Sequence, residues 1–394
     1  MKSTIGLWMI FFALSLPFNF STLPHPGIWI TEAIYPISHW IGQSLFDFEL
    51  VAKATTSDAA TLYIQMGLLF IIAVIISQSL KLQHKIPRDQ LLVSLHKTSV
   101  YVLAFFLLKY GFDKLFHIQF YPPEPNTLFT PVGALTKDIL FWSTMGSSGS
   151  YNTFMGVIEI LPGLLLLWKR TRLIGALIAL GVLVNVFALN IGFDITVKLL
   201  SLYLVLLALY VLSPWYKMLL NVFVQNGNGT GTTYNSEITI RPMAKRVIKG
   251  AIVFIFALEL LTPYIDRGSF SGHDYSKTPH FGSYEITNPE VGFLGDSTLR
   301  RIHIHSKGYL ITESNDGEFT DHRIRTSSLG NKIIFLDIAF VLSVEQRKNF
   351  IAFSWAKNGT NESLNVRKID LDALPLKDDS AHWTVDGLMN SSKK

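Results

Sequence analysis

The chain has no cysteine. Disulfides, thiolate nucleophiles, iron–sulfur clusters and thiolate-ligated zinc are excluded with it. Charge is scarce too: Asp, Glu, Lys and Arg make up 16% of the 394 residues, against about 25% in an ordinary soluble domain. GxSxG, the P-loop, HExxH and a GxGxxG following a strand are all missing. NGNGTG, residues 226–231, lies in a polar run with no strand before it and is no phosphate loop.

What the chain does contain is apolar surface. Hydrophobic residues make up 49%, with 28 Phe, 14 Tyr and 8 Trp, and the mean hydropathy is +0.33. This is the profile of a multi-span membrane protein carrying some soluble mass. The net charge of +5 does not point to nucleic acid, because the basic residues sit in short clusters beside apolar runs, as membrane topology requires.

A span takes about 20 mainly apolar residues. Seven runs approach that length: 4–21, 60–80, 90–115, 151–168, 173–193, 196–213 and 247–265. The first reads as a signal peptide or a retained anchor. NFSTLPHP behind it is a poor cleavage site, so a retained anchor is expected. Lys81, Lys85 and Arg88 join the second and third runs, and Lys169, Arg170 and Arg172 join the fourth and fifth. Lys217, Arg241, Lys245, Arg246 and Lys249 separate the sixth from the seventh. The alternate loops are not basic: residues 22–59 set Glu32, Asp47, Glu49 and Asp58 against Lys53, and 116–150 pair Glu124 and Asp138 with one lysine. The positive-inside rule therefore expects a cytoplasmic N-terminus and an extracytoplasmic C-terminal part.

The expected organisation is an α-helical membrane bundle with a small antiparallel β domain. N-terminal helices and an outer loop occupy 1–89, a four-helix core 90–222, a cytoplasmic linker 223–246, a seventh helix 247–267 and the β domain 268–394. The linker is the Gly/Asn/Thr stretch VQNGNGTGTTYNSE. The β domain is read from short, partly alternating runs such as RRIHIHSKGYLITES and KNFIAFSWAK, bounded by NDGE, SLGNK and KNGTNE turns.

Ionisable groups inside the runs carry the functional question. At about 1.5 Å of rise per residue, Glu159 lies roughly 12 Å below the outer end of its run, within a hydrocarbon core about 30 Å thick. A charge near the bilayer centre costs about 2.5–3.5 kcal/mol on insertion scales. Glu159 is therefore either protonated or partnered across a helix interface. Lys109, Lys114 and Lys198 are the cations at that level, together with Tyr110, Asp113, Asn185, Asn190 and Asp194, while Glu259 lies near the outer end of the last run. Lys109 and Asp113 are four apart and share a helix face. Structural glue is the plain alternative, since polar groups also fix helix register in membranes. His96, at the cytoplasmic start of the third run, reads as interfacial. His303 and His305 share one face of a strand without a recognisable third metal ligand.

KYGFDKLFHIQF, YNTFMGVIEILPGLLLLWKRTRLIGALI and VNVFALNIGFDITVKLLSLYLVLLALYVLSP together resemble the DoxX-like family of four-helix membrane proteins. The similarity is greatest to long Bacteroidetes-type members with extra N-terminal helices and an extracytoplasmic β domain. HFGSYEI, GDSTLRRIHI, KGYLITESND and VRKIDLDALPL extend it, more weakly, into the tail. Tyr110, Gly111, Lys114, Glu159, Asn185, Asn190, Asp194 and Lys198 match the family pattern, whereas KRTR and WSTMGSS depart slightly from it.

The resemblance implies a bacterial inner-membrane protein accessory to a membrane redox or quinone-linked system. Its partners would be the bilayer and redox proteins, with no nucleic acid. No cofactor is expected in the chain, only a quinone from outside it. The expected site is an outer-leaflet pocket in which Glu159 and Tyr110 relay protons. Lys109, Asp113, Lys114, Asn185, Asn190, Asp194 and Lys198 would bind the headgroup, because quinone carbonyls need hydrogen-bond donors. The alternatives are a non-catalytic envelope scaffold, or lipid and small-solute handling.

The absence of cysteine makes the topology directly testable. Asn358→Cys should react with a membrane-impermeant maleimide on intact cells (spheroplasts, if an outer membrane is present), and Asn226→Cys only after permeabilisation. The reverse pattern would invert the orientation.

Overall fold

The computed structural model describes residues 1–16, 26–46, 57–83, 87–225, 242–266, 268, 270, 279–289, 291–294, 296, 298–327, 330–348, 350–357 and 360–377. Most of the polar linker, the end of the first apolar run and the last 17 residues lie outside them, as do Asp47, Glu49, Lys53, Lys85 and Arg241. The chain divides into two compact units, 1–116 with 153–270 and 117–152 with 271–394.

The first unit is helical. Its elements are α1 (Lys2–Ser15), α2 (Pro26–Phe46), α3 (Ala60–Gln83), α4 (Arg88–Leu115), most of α6 (Gly149–Leu166), α7 (Arg172–Gly192), α8 (Lys198–Leu212), α9 (Tyr216–Phe223) and α10 (Pro242–Asp266). Among the described residues, four helices are long and apolar enough to cross a membrane: α3, α4, α7 and α10. A fifth crossing results if α8 and α9, bent by 86°, count as one. Pro214 lies at that break, where it lacks the N–H a continuous helix would use. Of the seven expected runs, the first forms a helix of only 14 described residues, and α6 has a polar first turn.

The helix α2 stands where an outer loop was expected. Glu32, Pro36 and His39 interrupt its hydropathy, but Pro26 at its first position suits a helix start. Gln65 of α3 donates to Thr31 of α2 at 3.3 Å, so two buried polar side chains fix that packing. Phe12, Leu103, Leu166, Ala176, Tyr203 and Leu207 lie in the core. The buried Tyr203 hydroxyl donates to the Met9 carbonyl at 2.8 Å, which satisfies it without water. Asp58 caps α8 from 140 residues away: its carboxylate accepts from Lys198 N–H at 2.8 Å and Leu199 N–H at 2.9 Å.

The second unit contains an eight-stranded barrel: β1 (Gly282–Ile286), β2 (Leu299–His305), β3 (Tyr309–Ser314), β4 (Phe319–Thr326), β5 (Lys332–Phe335), β6 (Val341–Gln346), β7 (Ile351–Lys357) and β8 (Thr360–Lys368). Each strand pairs antiparallel with the next, and β8 closes on β1 through Tyr284–Lys368, Glu285–Arg367 and Ile286–Val366. Closure leaves no sheet edge to pair with another chain. Ile302, Ile304, Leu310, Ile333, Leu342, Phe353 and Val366 fill the interior.

Period-two alternation should leave the other face of β2 exposed, yet His303 is buried. The segment 117–136 covers it. Phe129 lies 5.6 Å from the His303 ring, Arg301 stands 4.5 Å over Phe129, and Glu124 accepts from the N–H and hydroxyl of Ser306. A stretch expected to be an ordinary loop, with α5 (Lys137–Gly146) after it, thus belongs to the β unit.

Candidate functional site

The helices α4 and α6 touch backbone to backbone. A Cβ added to Gly156 would lie 2.7 Å from the Leu115 nitrogen and 2.8 Å from the Gly111 carbonyl. One on Gly111 would lie 2.7 Å from Ile160 Cγ1 and 2.9 Å from the Ile160 nitrogen. Small residues are what allow such an approach, and van der Waals contact is its main reward in lipid.

That approach sets Lys114 against Glu159. Lys114 Nζ donates to Glu159 Oε2 at 2.8 Å, with side-chain exposures of 5% and 4%. Lys114 also stands 5.8 Å from the centre of the Tyr110 ring, which stacks on Phe106. Either charge alone would be costly in such apolar surroundings, and each offsets part of the other's desolvation penalty.

One turn earlier on α4, Lys109 holds both Asp113 oxygens, at 3.0 and 2.8 Å. The Tyr264 hydroxyl of α10 donates to Asp113 Oδ1 at 2.7 Å. Glu259, also on α10, is 2% exposed, and its Oε2 has no hydrogen-bond partner among the described residues. Pro263 cannot donate to the Glu259 carbonyl, so that backbone oxygen lacks its usual intrahelical donor as well.

The remaining candidates lie elsewhere. Asn190 is buried, and its amide is 3.5 Å from the Val197 carbonyl. Asp194 has φ +53° and ends the α7 turn in the left-handed region that Asp tolerates. Lys198 Nζ pairs with Asp194 at 2.7 Å and lies 3.9 Å from Asp58. Asn185 is exposed on α7. The contacts thus form three groups: Tyr110–Lys114–Glu159, Lys109–Asp113–Tyr264, and Asp58–Asp194–Lys198. Among the described residues no hydrogen bond or ion pair joins Asn185 or Lys198 to Glu159 in the single pocket expected from sequence.

Sequence reasoning left Asp58, Glu259 and Tyr264 out of the site. Glu259 and Tyr264 carry a readable signal, polar groups beside a proline in an apolar run. Asp58 has none, since its partner is distant in sequence. His96 is a satisfied buried residue, 2.8 Å from the Val211 carbonyl.

In the β unit, the Ser283 hydroxyl donates to His303 Nδ1 at 2.8 Å. His303 Nε2–H in turn donates to Glu313 at 3.1 Å, and Arg301 pairs with Glu313 at 2.9 Å; these neighbours assign the tautomer. Burial pushes the His303 pKa down to about 4 against the Glu313 hydrogen bond, and His305 is lowered to about 4, also by burial. Among the described residues no group of three His, Asp or Glu side chains is arranged to hold a metal ion.

Gly156→Ala should force α4 and α6 apart and lower the melting temperature, whereas Gly181→Ala, where a Cβ meets nothing within 4 Å, should not. An equal response of the two would refute the close contact. For His303, a folded pKa below the usual 6.5 means a contribution complete above that pH and lost as pH falls towards 4. Barrel stability should fall across this window, less steeply in His303→Gln, and identical profiles would contradict the assignment.

No family model and no solved structure matches this chain. One curated relative does: the uncharacterized protein YwoB of Bacillus subtilis (strain 168), 33% identical over 123 residues, which are 31% of this chain and 78% of YwoB. At that identity and coverage, the chain belongs to the family of YwoB.

Proposed function

We propose that this chain is a DoxX-like, seven-span protein of the bacterial inner membrane whose bundle is a non-catalytic scaffold. Its N-terminus lies in the cytoplasm and its barrel on the extracytoplasmic side. It serves as an accessory component of a membrane-bound assembly, a redox or quinone-linked one being the class that the family resemblance implies.

The observation that carries this reading is the matched, buried Lys114–Glu159 pair at the glycine crossing. A general acid or base must reach its substrate within hydrogen-bond distance. Glu159 is instead 3% exposed and engaged by Lys114, the state expected of a group that locks two helices. A second reading, contact with a quinone headgroup or other small polar molecule, draws support from Glu259. Its unpartnered oxygen adjoins the Lys109–Asp113–Tyr264 network, where a hydroxyl or a proton would satisfy it.

The two readings separate on paired substitutions. Glu159→Gln alone leaves Lys114 buried without its anion, which should cost about 3–5 kcal/mol. Lys114→Met with Glu159→Leu removes both charges and should restore the melting temperature. The scaffold reading expects this double variant to support quinone-linked respiration in a deletion strain as the wild type does. A double variant that folds normally yet fails to support it would assign chemistry to the pair.

A further inference from the structure

Tyr63, Ile64, Gly67, Leu68 and Ile71 recur at the three- and four-residue spacing that places them on one face of α3. With Ile41 and Phe46 of α2 they line an open groove of about 680 Å³. Its floor is set by Gly67, where a Cβ would meet nothing within 4 Å. The walls are aliphatic and aromatic along their length, and polarity is confined to one end, where Asp58 and Tyr63 stand. That end adjoins the start of α8, because Asp58 is bonded to the Lys198 and Leu199 N–H groups and lies 3.9 Å from Lys198 Nζ. The groove therefore has the polarity gradient of an amphiphile: an apolar trough ending at Asp58 and Tyr63, with Lys198 and its partner Asp194 beside that end.

The charges at this end select among headgroups. Asp58 is occupied by two backbone N–H donors. Lys198 bonds Asp194, whose side chain is 80% exposed. One cation among two carboxylates offers no net attraction to a purely anionic headgroup, even with the positive end of α8 beside it. A zwitterion complements the pair instead: its phosphate accepts from Lys198 and the Tyr63 hydroxyl, and its primary ammonium donates to Asp194. The volume also lies within the range of about 300–1,000 Å³ typical of small-molecule sites.

We propose that the α2–α3 groove is a phospholipid site, holding one acyl chain over Gly67 and a phosphoethanolamine headgroup at Tyr63, Lys198 and Asp194. The inference rests on α3 lying in a bilayer and not on the Lys114–Glu159 pair, so the scaffold reading and this one fail independently.

The test uses the full chain in nanodiscs of phosphatidylethanolamine, phosphatidylglycerol and phosphatidylcholine in equal parts. After transfer to mild detergent, retained lipid is counted by native mass spectrometry. Wild type should keep one phosphatidylethanolamine per chain. Gly67→Phe, which fills the trough, should reduce retention about tenfold with an unchanged melting temperature, while Gly67→Ala keeps the lipid. Asp194→Asn should erase the preference for phosphatidylethanolamine over phosphatidylcholine, whose quaternary head cannot donate. Equal retention of the three lipids by wild type, or undiminished retention by Gly67→Phe, would overturn the site. If Gly67→Phe fails to fold, the wild-type protein decides: phosphatidylethanolamine with a diazirine on its acyl chain should label the Ile64–Ile71 stretch, and labelling spread evenly over α7 and α10 would overturn the proposal.

Discussion

A lysine ammonium among apolar helices is costly without an anion held against it, and α4 carries two such lysines. Lys109 finds its partner within the same helix, at Asp113. Lys114 finds its partner on α6, and it reaches Glu159 only because Gly111 and Gly156 let the two backbones meet. Association in lipid gains little from burying apolar surface, since the surroundings are equally apolar. A desolvated ion pair is different, because separating the helices would leave two charges unmatched. The pair therefore acts less as a source of stability than as a constraint on register: one relative placement of α4 and α6 is permitted, and a shift of one turn is not.

The β unit solves a related problem by another route. Closing eight strands into a barrel satisfies every edge, yet the outward face of β2 carries Arg301 and His303, which pack under residues 117–136 together with Glu313 of β3. Serine, histidine, glutamate and arginine bond one another there in a chain, and Arg301 Nε is the one atom of it without a hydrogen-bond partner among the described residues. Neutrality of His303 belongs to this arrangement, since its Nδ1 must accept from Ser283 while Nε2 donates to Glu313.

Much of this was legible from residues alone. The apolar runs located α3, α4, α7 and α10, and the short alternating runs with turn chemistry located the β domain. The depth of Glu159 demanded a partner, and Lys114 was among those named. Other features were not legible for identifiable reasons. The helix α2 hides behind Glu32, Pro36 and His39, which lower hydropathy without preventing a helix. Barrel closure depends on β1 meeting β8 across some 80 residues, which no local pattern records. The single expected pocket assumed that polar groups at similar depth converge. Depth gives height along the membrane normal but not which way a helix face points; among the described residues no hydrogen bond or ion pair joins Asn185 or Lys198 to Glu159.

The central claim concerns one distance and is most directly tested in a bilayer. Dipolar recoupling between ¹⁵Nζ of Lys114 and the ¹³C carboxyl of Glu159, by solid-state NMR of the protein in lipid, reads that distance without perturbing either group. The account predicts strong dephasing, as an N–O contact of 2.8 Å requires. Absence of dephasing, with Glu159 turned towards lipid, would contradict it.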